Sequence, residues 1–244
     1  MKKILLIGVY GMEIVECGGA LLKNVLNEGK SFATIMLASD ETKEQLLEAS
    51  KILKTDINFL NFKTGEINPT VEQKLPLIQY IRKIKPDIII TQDTEHCISD
   101  LDPDRRMAMT LILESIALSS RNFMVDEYPP CPIGEIYYMT PNNPNCIVNI
   151  SDVWDEKQNA LDCLKSQLEF SGQHYQNYYG DKIMQNIIPE WNSLNSNYEK
   201  GKKAMRAFNY AYYLNNGSLQ HGHFAFSEAY RKEGIFPFGF FIGS

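Results

Sequence analysis

The chain has 244 residues, of which 44% are hydrophobic and 22% charged, with a net charge of −6 and a pI near 5.3. This is the composition of a soluble globular protein with enough chain for a sizeable core. The acidic balance argues against a nucleic-acid-binding face, and no apolar run approaches the length of a membrane span.

Residues 2–9 predict a first strand, continuously apolar from Ile4 to Val9 as in a parallel sheet covered on both faces. A short loop, "YGMEIVE", follows. Cys17-Gly18-Gly19 then opens a helix with the apolar stripe Leu21, Leu22, Val25 and Leu26, and Gly29 stands as its C′ residue. "SFATIMLAS" predicts a second strand ending at Ser39-Asp40. "TKEQLLEASKILK" predicts a helix, and "INFLNF" a third strand. "VEQKLPLIQYIRKIK" reads as a helix in which Pro76 requires a kink or a late start. "PDIIITQ" is the fourth strand. The alternation predicts an α/β fold, a Rossmann-like open and mainly parallel sheet with helices on both faces. Ligands in such sheets sit beyond the carboxyl ends of the strands. That rule singles out residues 9–16, 39–40 and 91–106.

"DRRMAMTLILESIAL" predicts a helix after an Asp-rich loop, and "GEIYYMTP" and "NCIVNIS" predict two more strands. "SDVWDEKQNALDCLKSQLEF" reads as one long helix capped by Ser151 or Asp152. "GQHYQNYYGDK" and "IPEWNSLNSN" read as loops, and "YEKGKKAMRAFNYAYYL" as a last long helix. No linker, repeat or low-complexity tract divides the chain, so one domain over 1–244 is expected. The N-terminal segment lacks a signal-peptide cleavage pattern. The five cysteines are widely spaced and form no CxxC pair, as expected of reduced thiols in the cytoplasm.

Several separated segments carry a resemblance. Val9-Tyr10-Gly11-Met12-Glu13 precedes Cys17-Gly18-Gly19 by three residues, and Asp100-Leu101-Asp102-Pro103-Asp104-Arg105-Arg106 opens a helix after "KPDIIIT". "IVNISDVWDEKQNALDCLKSQ" and "HFAFSEAYR" follow in order. Together they are similar to the PIG-L/LmbE family, zinc-dependent de-N-acetylases of N-acetylglucosamine conjugates. The resemblance implies a hydrolase fold acting on amide C–N bonds. Its zinc ligands would fall at Val9, Met12 and Arg105, its water-activating base at Gly11, and its intermediate-stabilising histidine at Asp102. Glu13, Gly18, Gly19, Asp100, Pro103, Asp104 and Arg106 retain the family's framework.

The departures fall on the chemistry. Valine has no lone pair, methionine sulfur suits soft metals, and arginine repels a dication, whereas catalytic zinc needs about three N, O or S ligands. Without the metal, water keeps its high pKa and the carbonyl loses its Lewis acid. The expectation is therefore no zinc cofactor and no confident catalytic residue. A non-catalytic member is expected, one that binds a small sugar or anion or pairs with an active relative, with a homo-oligomeric assembly and a pocket built from Tyr10, Glu13, Asp40, Asp100, Asp104 and Arg105. An amide hydrolase with a rebuilt site is the alternative.

Arg105 is expected to satisfy Glu13, Asp104 or Asp102 in the space the metal would fill, with Glu13 the preferred partner, or else to be a solvated residue at the helix start. Asp100, Asp102 and Asp104 alternate like a calcium loop but lack its Gly and distal Glu, so helix N-terminal acids are the simpler reading. Glu13, Glu16, Cys17 and His96 are candidates for a rebuilt metal site. His221 and His223 have a chelating spacing without a visible third ligand. The loop Gly8-Val9-Tyr10-Gly11 with Asp40 loosely mimics a dinucleotide site but lacks its fingerprint. The tyrosines of "HYQNYYGD" would either stack on a sugar ring or pack on the long helices. Phe236, Phe238, Phe240 and Phe241 would cover the core or an oligomer contact.

Overall fold

The computed structural model describes residues 1–125, 127–220, 222 and 224–233. His221, His223 and the phenylalanines after residue 233 lie outside the described residues. In chain order the elements are β1 (Lys3–Gly8), α1 (Glu13–Glu16), α2 (Gly18–Leu26), β2 (Lys30–Ile35), α3 (Asp40–Ile52), β3 (Thr55–Phe59), α4 (Val71–Ile84), β4 (Ile88–Gln92), α5 (Thr94–Ile98) and α6 (Pro103–Ser119). They continue with β5 (Glu135–Met139), β6 (Cys146–Asn149), α7 (Trp154–Asp162), α8 (Lys165–Tyr179), α9 (Asp181–Ile187), α10 (Asn197–Leu214) and β7 (Ser227–Glu233).

The seven strands form a sheet in the order β3-β2-β1-β4-β5-β7-β6. β1 pairs in parallel with β2 and β4, β2 with β3, and β4 with β5, while β7 runs antiparallel between β5 and β6. The strand period of two divides β1 between the faces. Ile4 and Leu6 join a core with α1, α2, α3, α7 and α8. Leu5 and Ile7 join a second core with α4 and α6, to which Val9 also belongs. This is the open α/β sheet that the alternation predicts.

Several local expectations change. Gly29 is not the left-handed residue after α2; Glu28 is, at φ 64°. α4 starts at Val71, where Thr70 Oγ1 accepts from Gln73 N, and runs through Pro76 without a late start. Neither Ser151 nor Asp152 caps a long helix. They lie in a 3₁₀ turn, Ser151 Oγ accepts from Phe226 N, and Asp152 pairs with Lys23 at 2.8 Å. The long helix itself is broken after α7, because buried Leu164 leaves the helical region at φ −82°, ψ 63°.

The stretch "GQHYQNYYGDK" is helical rather than a loop, forming the end of α8 and the start of α9. Rings four residues apart stack along it, Phe170 with His174 at 6.0 Å and His174 with Tyr178 at 5.8 Å. That i, i+4 spacing is a helical signal hidden by polar composition. α5 and β7 are additional elements.

α8 and α10 cross at a point where neither helix has a side chain. A Cβ on Gly201 would stand 1.7 Å from the Leu168 carbonyl oxygen, and one on Gly172 would stand 2.0 Å from the Asn197 carbonyl oxygen. In an exposed helix Gly→Ala gains about 1 kcal/mol; here the helices must separate. Gly201→Ala is therefore expected to destabilise the protein by roughly 2–3 kcal/mol in urea or thermal melting, and a raised melting temperature would contradict this close crossing.

Candidate functional site

The turn after β1 is held by one carboxylate. Glu13, buried in α1, accepts from Val9 N at 2.9 Å and Tyr10 N at 3.3 Å through Oε1, and from Gly11 N at 2.7 Å through Oε2. These N–H groups are the ones a bound phosphate would need, and Glu13 occupies them, which removes the basis of the dinucleotide reading. Glu13 does not pair with Arg105, contrary to expectation, because its oxygens are already committed to the backbone. Gly11 has φ +100°, and a Cβ there would lie 2.6 Å from Leu46 Cδ1. The backbone at this position has adapted to having no side chain.

The Asp-rich segment is also tied by its own hydrogen bonds. Asp100 Oδ1 accepts from Asp102 N at 2.9 Å, and Asp102 Oδ1 caps α6 through Asp104 N at 2.9 Å. Asp104, buried, accepts from Gly65 N at 2.7 Å and joins α6 to the segment after β3. Arg106 donates to the Asp100 carbonyl. Tyr10 Oη donates to Asp102 Oδ2 at 2.6 Å. Burial, and then this bond, hold the Tyr10 phenol protonated well above its ordinary range. Arg105 Nε stands 3.8 Å from Asp100 Oδ2 and 3.9 Å from Asp102 Oδ2, and its guanidinium lies 5.2 Å over the Tyr10 ring. The three aspartates act as helix-start and loop acids rather than as a converging cluster.

A cleft of about 890 Å³ opens where the strand-end rule places it, beyond β1, β2 and β3. Tyr10, Gly11, Met12 and Glu16 form its floor, with Arg105 at one side and Leu37, Ala38 and Ser39 at another. Val9 does not face it, since its side chain is fully buried in the core under α4 and α6. Asp40 is exposed and pairs with Lys43 at 3.0 Å, while Ser39 and Thr42 supply the lining at that corner. Two walls lie outside residues 9–16, 39–40 and 91–106. Phe62, Lys63 and Thr64 follow β3, which the strand-end rule reaches by the same logic as the others. Ser166, Phe170, His174 and Tyr175 come from α8, where the aromatic stretch "HYQNYYGD" is the one sequence signal. His174 and Tyr175 both line the cleft, and Tyr175 also packs on Phe208 with centroids 4.9 Å apart. A smaller cleft of about 420 Å³ shares Met12, Glu16 and Met205 with the first and has His96 on its far side.

Beneath the floor lies a buried ion pair. Lys157 Nζ is 2.7 Å from Glu228 Oε1 and also donates to the carbonyls of Val15 and Glu16. Glu228 accepts from Gly19 N at 2.8 Å, Ala20 N at 2.9 Å and Tyr230 Oη at 2.7 Å. Burial pushes the Cys17 thiol well up, so it is a protonated core residue. Among the described residues no three His, Cys, Asp or Glu side chains come together as a metal-holding group, including Glu13, Glu16, Cys17 and His96.

Glu16 is the unusual acid. Its carboxylate lines both clefts and accepts no hydrogen bond among the described residues, while its carbonyl accepts from Lys157 and from Tyr213 Oη. Burial, reinforced by Glu13, pushes its pKa up to about 7; Arg105 and Lys157 oppose the rise.

No protein-family model and no curated protein matches the chain. Solved structures do. N,N′-diacetylchitobiose deacetylase from Pyrococcus horikoshii aligns with a TM-score of 0.70 at 20% identity, over 98% of this chain and 88% of that one. The conserved protein TT1542 from Thermus thermophilus aligns at 0.66 and 19%, over 98% and 97%. GalB, the 4-carboxy-2-hydroxymuconate hydratase from Pseudomonas putida, aligns at 0.65 and 15%, over 97% of each chain. The chain thus has a deacetylase-like fold. The same fold carries a hydratase, so the fold alone does not name a reaction.

Two variants check this site. Removing one partner of a buried pair leaves an uncompensated charge, so Lys157→Met is expected to cost about 3–5 kcal/mol in urea unfolding. Glu16 holds its proton more tightly folded than at its ordinary value of 4.5. Its contribution is complete below about pH 4.5 and is lost as pH rises through about 7. Glu16→Gln is therefore expected to melt near the parent at pH 4.5 and above it at pH 8, by at most about 3 kcal/mol.

Proposed function

We propose that the chain is a metal-free relative of the PIG-L/LmbE deacetylases whose cleft binds a small sugar or anionic ligand instead of hydrolysing an amide. The observation that carries this reading is the donor set at the positions the resemblance assigns to zinc. Val9 points into the core, Met12 offers a thioether, and Arg105 brings a positive charge. That set does not fit a catalytic zinc. The base position supports the same reading, because an aspartate at Gly11 would meet Leu46 and a left-handed backbone. The cleft itself is retained, with polar groups on one wall and aromatic rings on another, the usual character of a site for a small polar ligand.

The alternative, an amide hydrolase with a rebuilt site, draws on Glu16, a carboxyl in the cleft whose pKa near 7 suits proton transfer. One experiment separates the two. The purified protein is analysed for bound metal and assayed for acetate release from N,N′-diacetylchitobiose and N-acetylglucosamine. No stoichiometric zinc and no release are expected. Acetate release, whether or not a chelator stops it, would overturn the non-catalytic reading; release that also disappears in Glu16→Gln would establish the rebuilt site.

A further inference from the structure

The charge of the cleft is opposite to that of the protein. The chain carries 24 Lys and Arg against 30 Asp and Glu. The cleft lining, in contrast, presents Lys63 and Arg105, and Glu16 is its one carboxylate among the described residues. Asp100 and Asp102 approach Arg105 only along its Nε edge, at 3.8 and 3.9 Å. Its terminal nitrogens donate no hydrogen bond among the described residues, which leaves a two-pronged donor at the wall of the cleft. Lys63 is well exposed and among the described residues reaches only Glu66, at the 4.0 Å limit of an ion pair. Such a contact contributes little and yields readily to a competing anion.

We infer that the cleft is an oxyanion site, in which Arg105 and Lys63 hold the sulfate, phosphate or carboxylate group of a small molecule and Glu16 must carry a proton for tight binding. The inference rests on the reading of the cleft as a ligand site and goes further by naming what the ligand carries. A guanidinium fork matches an oxyanion with two parallel donors, and Phe170, His174 and Tyr175 put aromatic side chains on the wall beside the rest of the molecule. Glu16 opposes the anion directly, because it lines the same cleft and its carboxylate accepts no hydrogen bond among the described residues that would spread its charge.

The surroundings of Glu16 set when that opposition acts. Glu13 on its own helix and Glu228 on β7 favour the protonated form, while Arg105 on α6 and Lys157 on α7 favour the ionised form. From α10, Tyr212 and Tyr213 face it as neutral phenols, each pushed up by burial first. Cys17 is likewise protonated, and His96 stands across the smaller cleft. The balance leaves Glu16 to change charge near neutral pH, pushed up to about 7. A bound anion then favours the proton on Glu16, and by linkage the proton favours the anion.

The test is isothermal titration between pH 5.5 and pH 8.5 with three probes: N-acetylglucosamine 6-sulfate, N-acetylglucosamine and sodium sulfate. Sulfate keeps a fixed charge over this range, so any pH dependence belongs to the protein. The sulfated sugar is expected to bind with an affinity that falls about tenfold from pH 6 to pH 8. Binding at pH 7 should be accompanied by proton uptake, read from the dependence of heat on buffer. Glu16→Gln should keep the tighter affinity at every pH. Arg105→Met should lose binding, and Lys63→Gln, at a well-exposed position, should weaken it several-fold. Sodium sulfate separates a site for the free ion from one that needs the attached ring; binding of either supports an oxyanion site. Equal affinity for the neutral and the sulfated sugar, a flat pH profile in the parent, or no binding by either sulfate probe would overturn the inference. None of these outcomes touches the metal-free reading, which the metal and acetate assays decide.

Discussion

Lys157 and Glu228 lie 71 residues apart and meet at 2.7 Å with both side chains buried. Taking two charges out of water costs several kcal/mol for each, and only dense hydrogen bonding makes such a pair tolerable. Here that bonding joins four elements. Glu228 on β7 holds the N-terminus of α2, where backbone N–H groups have no helical partner and favour negative charge. Lys157 on α7 holds the last carbonyls of α1. The short turn between β1 and α2 is thereby clamped from below by residues from the far end of the chain. Everything on the floor of the cleft inherits its position from this clamp, Glu16 included.

Above the clamp, a second carboxylate shapes the turn itself. Glu13 gathers the N–H groups of residues 9–11, so the loop needs neither a metal nor an anion to hold its form. This explains how the turn keeps its place in the fold whatever the side chains at Val9, Gly11 and Met12 do. Once the backbone is held by Glu13, those side chains are free to serve packing. Val9 enters the core under α4 and α6, and the space beside Gly11 is filled by Leu46. Arg105 shares the pattern, standing beside the Tyr10 ring and two helix-start aspartates rather than facing Glu13.

Much of this was legible from particular residues. The apolar run at Ile4–Val9, the glycines after Cys17 and the strand "PDIIITQ" mark the alternation of strand and helix, because burial on both faces of a parallel sheet leaves continuous apolar runs. The strand-end rule brings Tyr10, Met12 and Arg105 to one cleft from their positions along the chain alone. α8 was legible only as an aromatic stretch, 174–181, that could stack on a sugar, not as a helix walling that cleft. Its residues lie over a hundred positions from the loop they face, and their polar and aromatic composition masks the four-residue stacking that makes them helical. β7 was equally hidden, since Ser227 and Glu228 are polar residues, and Glu228 is buried only because Lys157 and the start of α2 meet it there.

The sequence by itself determined the class of fold and the location of the cleft along the chain, because these depend on residue type and local period. Tertiary structure alone decided the partners: Glu13 with the loop backbone instead of Arg105, Asp102 with Tyr10, and Glu16 between two clefts with no hydrogen bond to its carboxylate among the described residues. The charge state of a carboxylate is set by how much water and which charges surround it. For Glu16 those surroundings come from α1, α6, α7 and β7 at once, and only the folded chain brings them together.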